Sequence, residues 1–170
     1  MAQPLSGLSR RALYGHFATR DDLIRSLLAH RVSRVLAAIE QVEHDDPAAL
    51  LALIGVRLWR EVEAVRVMAR FTVRGPFQRE LAYALVPLRD RVRHAVTVGA
   101  ATGRIRDDIE PGMLARLVEG AVLSVLDEAT LSEIDVPTGD RLVALSVLAL
   151  IGFSAAESHA ILATLTDARS

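Results

Sequence analysis

The stretch from Leu8 to Phe17 reads LSRRALYGHF, and it places two kinds of chemistry on one short helix. Leu13 and Phe17 are four residues apart, so on a helix they share an apolar face that can pack on a protein core. The remaining surface carries guanidinium, phenol and imidazole groups, which can hydrogen-bond to phosphates and base edges. These groups belong to Arg10, Arg11, Tyr14 and His16. The pattern is typical of the DNA-reading helix of a helix-turn-helix, and it predicts a recognition helix at about 9–17.

The rest of the chain has helical periodicity, with no segment that alternates with period two between hairpin turns. Thr19 to Asp22 forms a capping pattern that predicts a long helix ending near Glu43, and Asp46-Pro47 begins a second long helix. The remaining signals predict a short helix at about 77–85 and further helices that begin near Pro87, Pro111, Pro137 and Ser154. The predicted fold class is therefore all-α.

Composition limits the classes of function. Apolar residues make up 51% of the chain, which is enough for a core and an apolar association surface. The absence of cysteine excludes disulfides, a thiol nucleophile and a cysteine-ligated metal. The longest uncharged run, Leu142 to Ala156, is too short and too interrupted for a membrane span, and no signal peptide is recognisable. The chain is predicted to be soluble and cytoplasmic, without membrane association.

Charge is distributed unevenly along the chain. Residues 1–35 carry a net charge of +4 and residues 57–116 carry +5, whereas residues 36–56 carry −4 and residues 117–170 carry −6. The basic N-terminal end is compatible with contact to a polyanion, and equally with an ordinary solvated helix surface. The acidic C-terminal end argues against nucleic-acid binding there.

The C-terminal half predicts an association surface. Residues 139–151 are so rich in Leu, Val and Ala that little of the helix circumference is polar. Such a helix is expected to be buried on every side, and in a small chain that burial would involve a second subunit. We expect a homodimer through helices at about 112–131 and 139–151, stacked on their symmetry mates as a four-helix bundle.

The motif at Leu13-Tyr14-x-His16-Phe17, followed by Arg20, Asp21 or Asp22, and Leu23, resembles the TetR (tetracycline-repressor) family of bacterial transcriptional regulators. The resemblance implies a partial helix-turn-helix region at 1–21 and a helical effector-binding and dimerisation domain at 22–170. It also implies a DNA operator as partner, control by a small apolar effector, and most often repression. The DNA contacts would come from Ser9, Arg10, Arg11, Tyr14, His16 and Arg20.

The effector site implied by the resemblance lies among the helices of residues 22–110. The large side chains available there, with one imidazole that could orient a polar group, are Trp59, Met68, Phe71, Phe77, Tyr83 and His94. Each of these residues could equally be core filler or ordinary surface. The family's two preceding helices have no counterpart before Leu8, so the resemblance implies an N-terminally truncated regulator with weak DNA binding.

A headless helical module that dimerises with full-length relatives, or binds ligand and so modulates them, is the alternative to a DNA-binding regulator. An enzyme is not expected, because the chain has no H-E-x-x-H, no glycine-rich phosphate loop and no nucleophile motif. No cofactor is expected, and the cluster His44-Asp45-Asp46 is interpreted as a helix break rather than a metal site.

Overall fold

A computed structural model describes Phe17 and residues 19–63, 80 and 83–167 of the chain. In these residues all regular structure is helical, as the sequence predicts. The helices are α1 (Arg20–Glu40), α2 (Pro47–Glu63), α3 (Val86–Ala101), α4 (Pro111–Leu131), α5 (Val136–Leu150) and α6 (Ala155–Asp167).

The predicted capping patterns form at both ends of the described chain. The backbone N–H of Asp22 donates to Thr19 Oγ1 at 3.1 Å, so Thr19 is the N-cap of α1. Before α6 the exchange is reciprocal: Ser154 N–H donates to Glu157 Oε2 at 2.8 Å, and Glu157 N–H donates to Ser154 Oγ at 3.3 Å. These bonds satisfy backbone donors that a helix start leaves without an intrahelical partner.

The helices between them begin with an acid cap, a proline, or both. Asp46 Oδ1 accepts from Ala48 N–H at 3.0 Å, and Asp135 Oδ1 accepts from Thr138 N–H at 2.8 Å. Glu110 accepts from two amides, Gly112 N–H at 2.8 Å and Met113 N–H at 2.7 Å, and these bonds lower the pKa of the Glu110 carboxyl. The predicted starts at Pro47, Pro87, Pro111 and Pro137 are confirmed to within a few residues.

Helix α2 lies at the centre of the described fold. It packs most extensively on α5 and also contacts α1, α3 and α4. Trp59 of α2 is fully buried, and its indole N–H donates to the Val136 carbonyl at 3.2 Å. The indole ring lies directly against Gly139 of α5, where any side chain would overlap it. The core is therefore built on a close α2–α5 approach.

Helix α1 joins this core through a smaller apolar cluster. Ile39 of α1, Ile54 of α2 and Leu88 of α3 are buried together. Arg91 of α3 reaches across to the end of α1, where its guanidinium donates to the Ile39 carbonyl at 2.5 Å and to the Val42 carbonyl. These contacts attach the C-terminal end of α1 to α3.

The outer sides of α4 and α5 carry an apolar surface within one chain. The sequence predicts that α5 is buried on every side, but Leu142 is 41% exposed. Exposed apolar and small residues recur at helical spacing on α4 as well. We call this surface the α4–α5 face; it comprises Met113, Leu117, Gly120, Ser124, Leu131 and Leu142. Within the described ranges, no helix combines the length and apolar character that crossing a membrane requires.

Candidate functional site

A cavity of about 350 Å³ opens between α2, α3 and α4. This volume lies within the range of small-molecule sites in proteins. Most of its wall is aliphatic, and the apolar side chains come from all three helices. They are Leu51, Ile54, Leu58, Val86, Leu88, Val92, Ala115, Val118 and Val122. The cavity therefore suits a ligand with an apolar body.

The polar part of the lining is charged and comes from α3 and α4. Arg89 of α3 and Glu119 of α4 form a two-pronged ion pair, with Nε–Oε1 at 2.9 Å and a terminal guanidinium nitrogen 2.6 Å from Oε1. The carboxylate raises the pKa of the Arg89 guanidinium, since it stabilises the charged form. A second pair, Arg93 with Asp90, lies along α3 itself. These two pairs leave both carboxylates of the lining neutralised by arginine.

Arg116 of α4 is the third arginine in the lining. Within the part of the chain that the structure describes, it has no carboxylate at ion-pair distance. Its hydrogen-bond contact among the described residues is the Met113 sulfur at 3.7 Å, which is a weak acceptor. Glu110 lies close enough for Arg116 to help lower its pKa, but both Glu110 oxygens accept backbone amides. Among the described residues, the lining thus carries one cation, Arg116, that no carboxylate binds directly.

Three of the large side chains proposed from the sequence for this role are described, and they lie outside the cavity lining. Trp59 is fully buried against Gly139 and fills the α2–α5 core. Tyr83 is 79% exposed, and His94 is exposed on α3. None of these three lines the cavity. Met68, Phe71 and Phe77 lie outside the described residues. In the sequence, size is the feature that indicates these aromatic residues. In the fold, the largest of them, Trp59, packs in the core.

The residues that do form the cavity carried little signal in the sequence. Its aliphatic members occupy positions that helical periodicity assigns to the core, and periodicity cannot tell a filled core from a hollow one. The charged members give a weak signal. Arg89 and Arg93 are four apart on one helix, and Arg116 and Glu119 are three apart on the next. Such spacing puts each pair on one face, but the sequence does not show that the two faces meet.

Most of the predicted DNA contacts lie outside the described residues. These are Ser9, Arg10, Arg11, Tyr14 and His16. Arg20 is described, and it is exposed at the first residue of α1. An exposed cation there can reach a polyanion. Among the described residues no group of three or more His, Asp or Glu side chains could hold a metal ion.

Comparison with known proteins identifies the fold. No family model matches the chain, and the search of curated proteins gave no significant match. Two solved structures of RolR do match. The ligand-free RolR structure has a TM-score of 0.64 and 22% identity, and the match covers 92% of this chain and 80% of RolR. RolR in complex with resorcinol has a TM-score of 0.65 and 22% identity, covering 91% and 76%. The chain therefore has the all-α fold seen in RolR.

Proposed function

We propose that this chain is a transcriptional regulator of the TetR type, a family whose members are most often repressors. The regulator would respond to a small molecule bound between α2, α3 and α4. The observation that carries the proposal is the apolar cavity, two of whose lining residues, Ile54 and Leu88, pack against Ile39 of α1. RolR, which shares the fold, has been crystallised with the small molecule resorcinol. The motif at 8–23 supplies the argument for DNA as the second partner.

The path from cavity to DNA would run through α1. Ile54 and Leu88 line the cavity and also belong to the apolar cluster that buries Ile39 of α1. A ligand that displaces α3 would therefore change the packing at the end of α1. Helix α1 follows directly on the proposed recognition helix at 9–17, so such a movement would reorient it. Ligand and DNA would then weaken each other's binding by the same factor.

Arg91 would carry part of this coupling, and Arg91→Met tests its contribution. The Arg91 guanidinium donates to two carbonyls at the end of α1, so its loss is expected to destabilise the fold by about 1–3 kcal/mol in urea unfolding. Hydrogen exchange of amides 36–44 should accelerate with it. Arg93→Met, an exposed arginine on the same helix, is the control and should change stability by less than about 0.5 kcal/mol. Equal behaviour of the two variants would show that Arg91 does not hold α1.

The DNA-binding part rests on Arg10 and Arg11, with Ser9, Tyr14, His16 and Arg20 as further contacts. The double change of Arg10 and Arg11 to alanine should weaken duplex binding about tenfold or more, because each arginine is proposed to contact a base or phosphate. Binding to duplexes selected from a random pool, followed by fluorescence anisotropy, measures it. Arg34→Ala, an exposed arginine of α1, serves as the control. Unchanged binding in the double variant would show that other residues contact DNA, whereas no duplex binding by the parent chain would favour the headless module, which binds ligand and dimerises without reading DNA.

The assembly is proposed to be a homodimer through α4 and α5. The α4–α5 face carries Leu117 at 43% exposure and Leu131 at 73% exposure, with the small Gly120 and Ser124 between them on the same side of α4. Apolar side chains flanking small residues allow two helices to approach closely. A twofold pairing would bury this face and would place two recognition helices in one assembly.

A further inference from the structure

We propose that the natural ligand of the cavity is a small amphiphile with one anionic head group, a carboxylate or an equivalent oxyanion, and that Arg116 binds this head. The inference rests on the proposed ligand-binding function and deepens it, because it assigns the ligand's charge and its orientation. The ligand's orientation follows from which helices carry the charged lining residues. The ligand's charge follows from the ion pairs among those residues.

The lining is divided by helix. Helix α2 contributes only Leu51, Ile54, Gly55 and Leu58, none of which can bind a polar group through its side chain. Every polar side chain of the described lining lies on α3 or α4, and every one is charged. A bound molecule must therefore direct its apolar body toward α2. Its polar group must lie toward α3 and α4, because burying that group against α2 would leave it without a hydrogen-bond partner.

The charges of the lining indicate whether the ligand's polar group is anionic or cationic. Three arginines and two carboxylates line the cavity, and both carboxylates are bound by arginine: Glu119 by Arg89, and Asp90 by Arg93. A cationic ligand would have to compete with a guanidinium for either carboxylate. An anionic ligand meets Arg116, whose present contact is a thioether.

The guanidinium chemistry suits a carboxylate. Arginine presents two parallel N–H donors to the two oxygens of a carboxylate, and such charge-assisted bonds are roughly twice as strong as neutral ones. Glu110 cannot replace the ligand without giving up its two backbone amides at the start of α4. A neutral alcohol would gain only a single, weaker hydrogen bond from the same group.

The test compares three probes that share one chain and differ in head charge: octanoate, octan-1-ol and octylammonium. Calorimetric titration of the full chain should show octanoate binding about tenfold more tightly than octan-1-ol, with octylammonium the weakest. Arg116→Gln should remove the preference for octanoate while leaving octan-1-ol binding within about twofold. Arg34→Gln, which removes the same charge from an exposed site on α1, should retain the preference.

A cavity-filling variant tests whether the probes bind in the cavity. Ala115 is buried in the lining, so Ala115→Phe directs a ring into the empty volume and should abolish binding of octanoate and octan-1-ol, with helicity confirmed by circular dichroism. Octanoate and octan-1-ol binding equally, no octanoate binding at all, or octanoate binding that survives Ala115→Phe would each overturn the inference. In the first case the cavity still binds ligand, so the proposed regulatory function is untouched. A parent chain that binds no duplex DNA would overturn the function and leave the ligand class standing.

Discussion

Gly139→Ala is expected to lower the free energy of unfolding by about 2–3 kcal/mol, which corresponds to roughly 5–10 °C in melting temperature for a domain of this size. A methyl group at Gly139 would overlap the ring of Trp59. That ring cannot simply move away, because it is fully buried and its N–H donates to Val136. The α2–α5 contact would have to open, and α2 is the helix on which α1, α3, α4 and α5 all pack.

The measurement is unusually direct, because Trp59 is the only tryptophan in the chain. Its fluorescence reports this contact alone, and a red-shifted emission in the folded variant would show that the indole has been displaced. Gly120→Ala is the matched control, measured on the monomeric Leu142→Asp background because Gly120 lies on the α4–α5 face: Gly120 also lies within a helix, but an added methyl group meets no atom of the same chain within 4 Å. Removing a glycine there should stabilise the helix by about 0.5–1 kcal/mol. A Gly139→Ala protein as stable as the parent would contradict this packing arrangement.

The pairing of Trp59 with Gly139 also shows where sequence reasoning stops. The helix starts were predictable because each is encoded within four residues, as at Thr19 to Asp22 and at Ser154 to Glu157. The contact between Trp59 and Gly139 joins residues 80 positions apart, and nothing local marks the glycine as the space an indole needs. The sequence therefore leaves Trp59 open between a ligand site and core packing, whereas in the fold it is fully buried against the glycine.

The cavity could not be predicted from the sequence for a related reason. Its existence depends on α2, α3 and α4 failing to close completely, which is a property of three helices together and not of any one pattern. The two ion pairs of its lining differ in whether the sequence spacing predicts them. Arg93 and Asp90 are three apart on one helix, so their contact could be read from spacing, whereas Arg89 and Glu119 meet only through the tertiary fold.

Replacing Leu142 by aspartate is expected to dissociate the proposed dimer. Leu142 lies on the α4–α5 face and is 41% exposed in one chain. In a twofold interface each substitution occurs twice, and burying a carboxylate without a partner costs several kcal/mol. The new charge would also lie in the most acidic part of the chain, since residues 117–170 carry a net charge of −6. We therefore expect the dissociation constant to rise at least about a hundredfold.

Sedimentation velocity over a concentration series measures this, with circular dichroism to confirm that the variant is folded. Leu27→Asp is the matched control, because Leu27 is 48% exposed on α1 and lies outside the α4–α5 face. A parent protein that is monomeric at micromolar concentration would contradict the proposed dimer. A dimer lost in Leu27→Asp but kept in Leu142→Asp would place the interface elsewhere. A monomeric Leu142→Asp chain should also lose affinity for a two-half-site operator while keeping octanoate binding. The cavity is built from α2, α3 and α4 of a single chain, whereas reading two half-sites needs two recognition helices held one DNA turn apart.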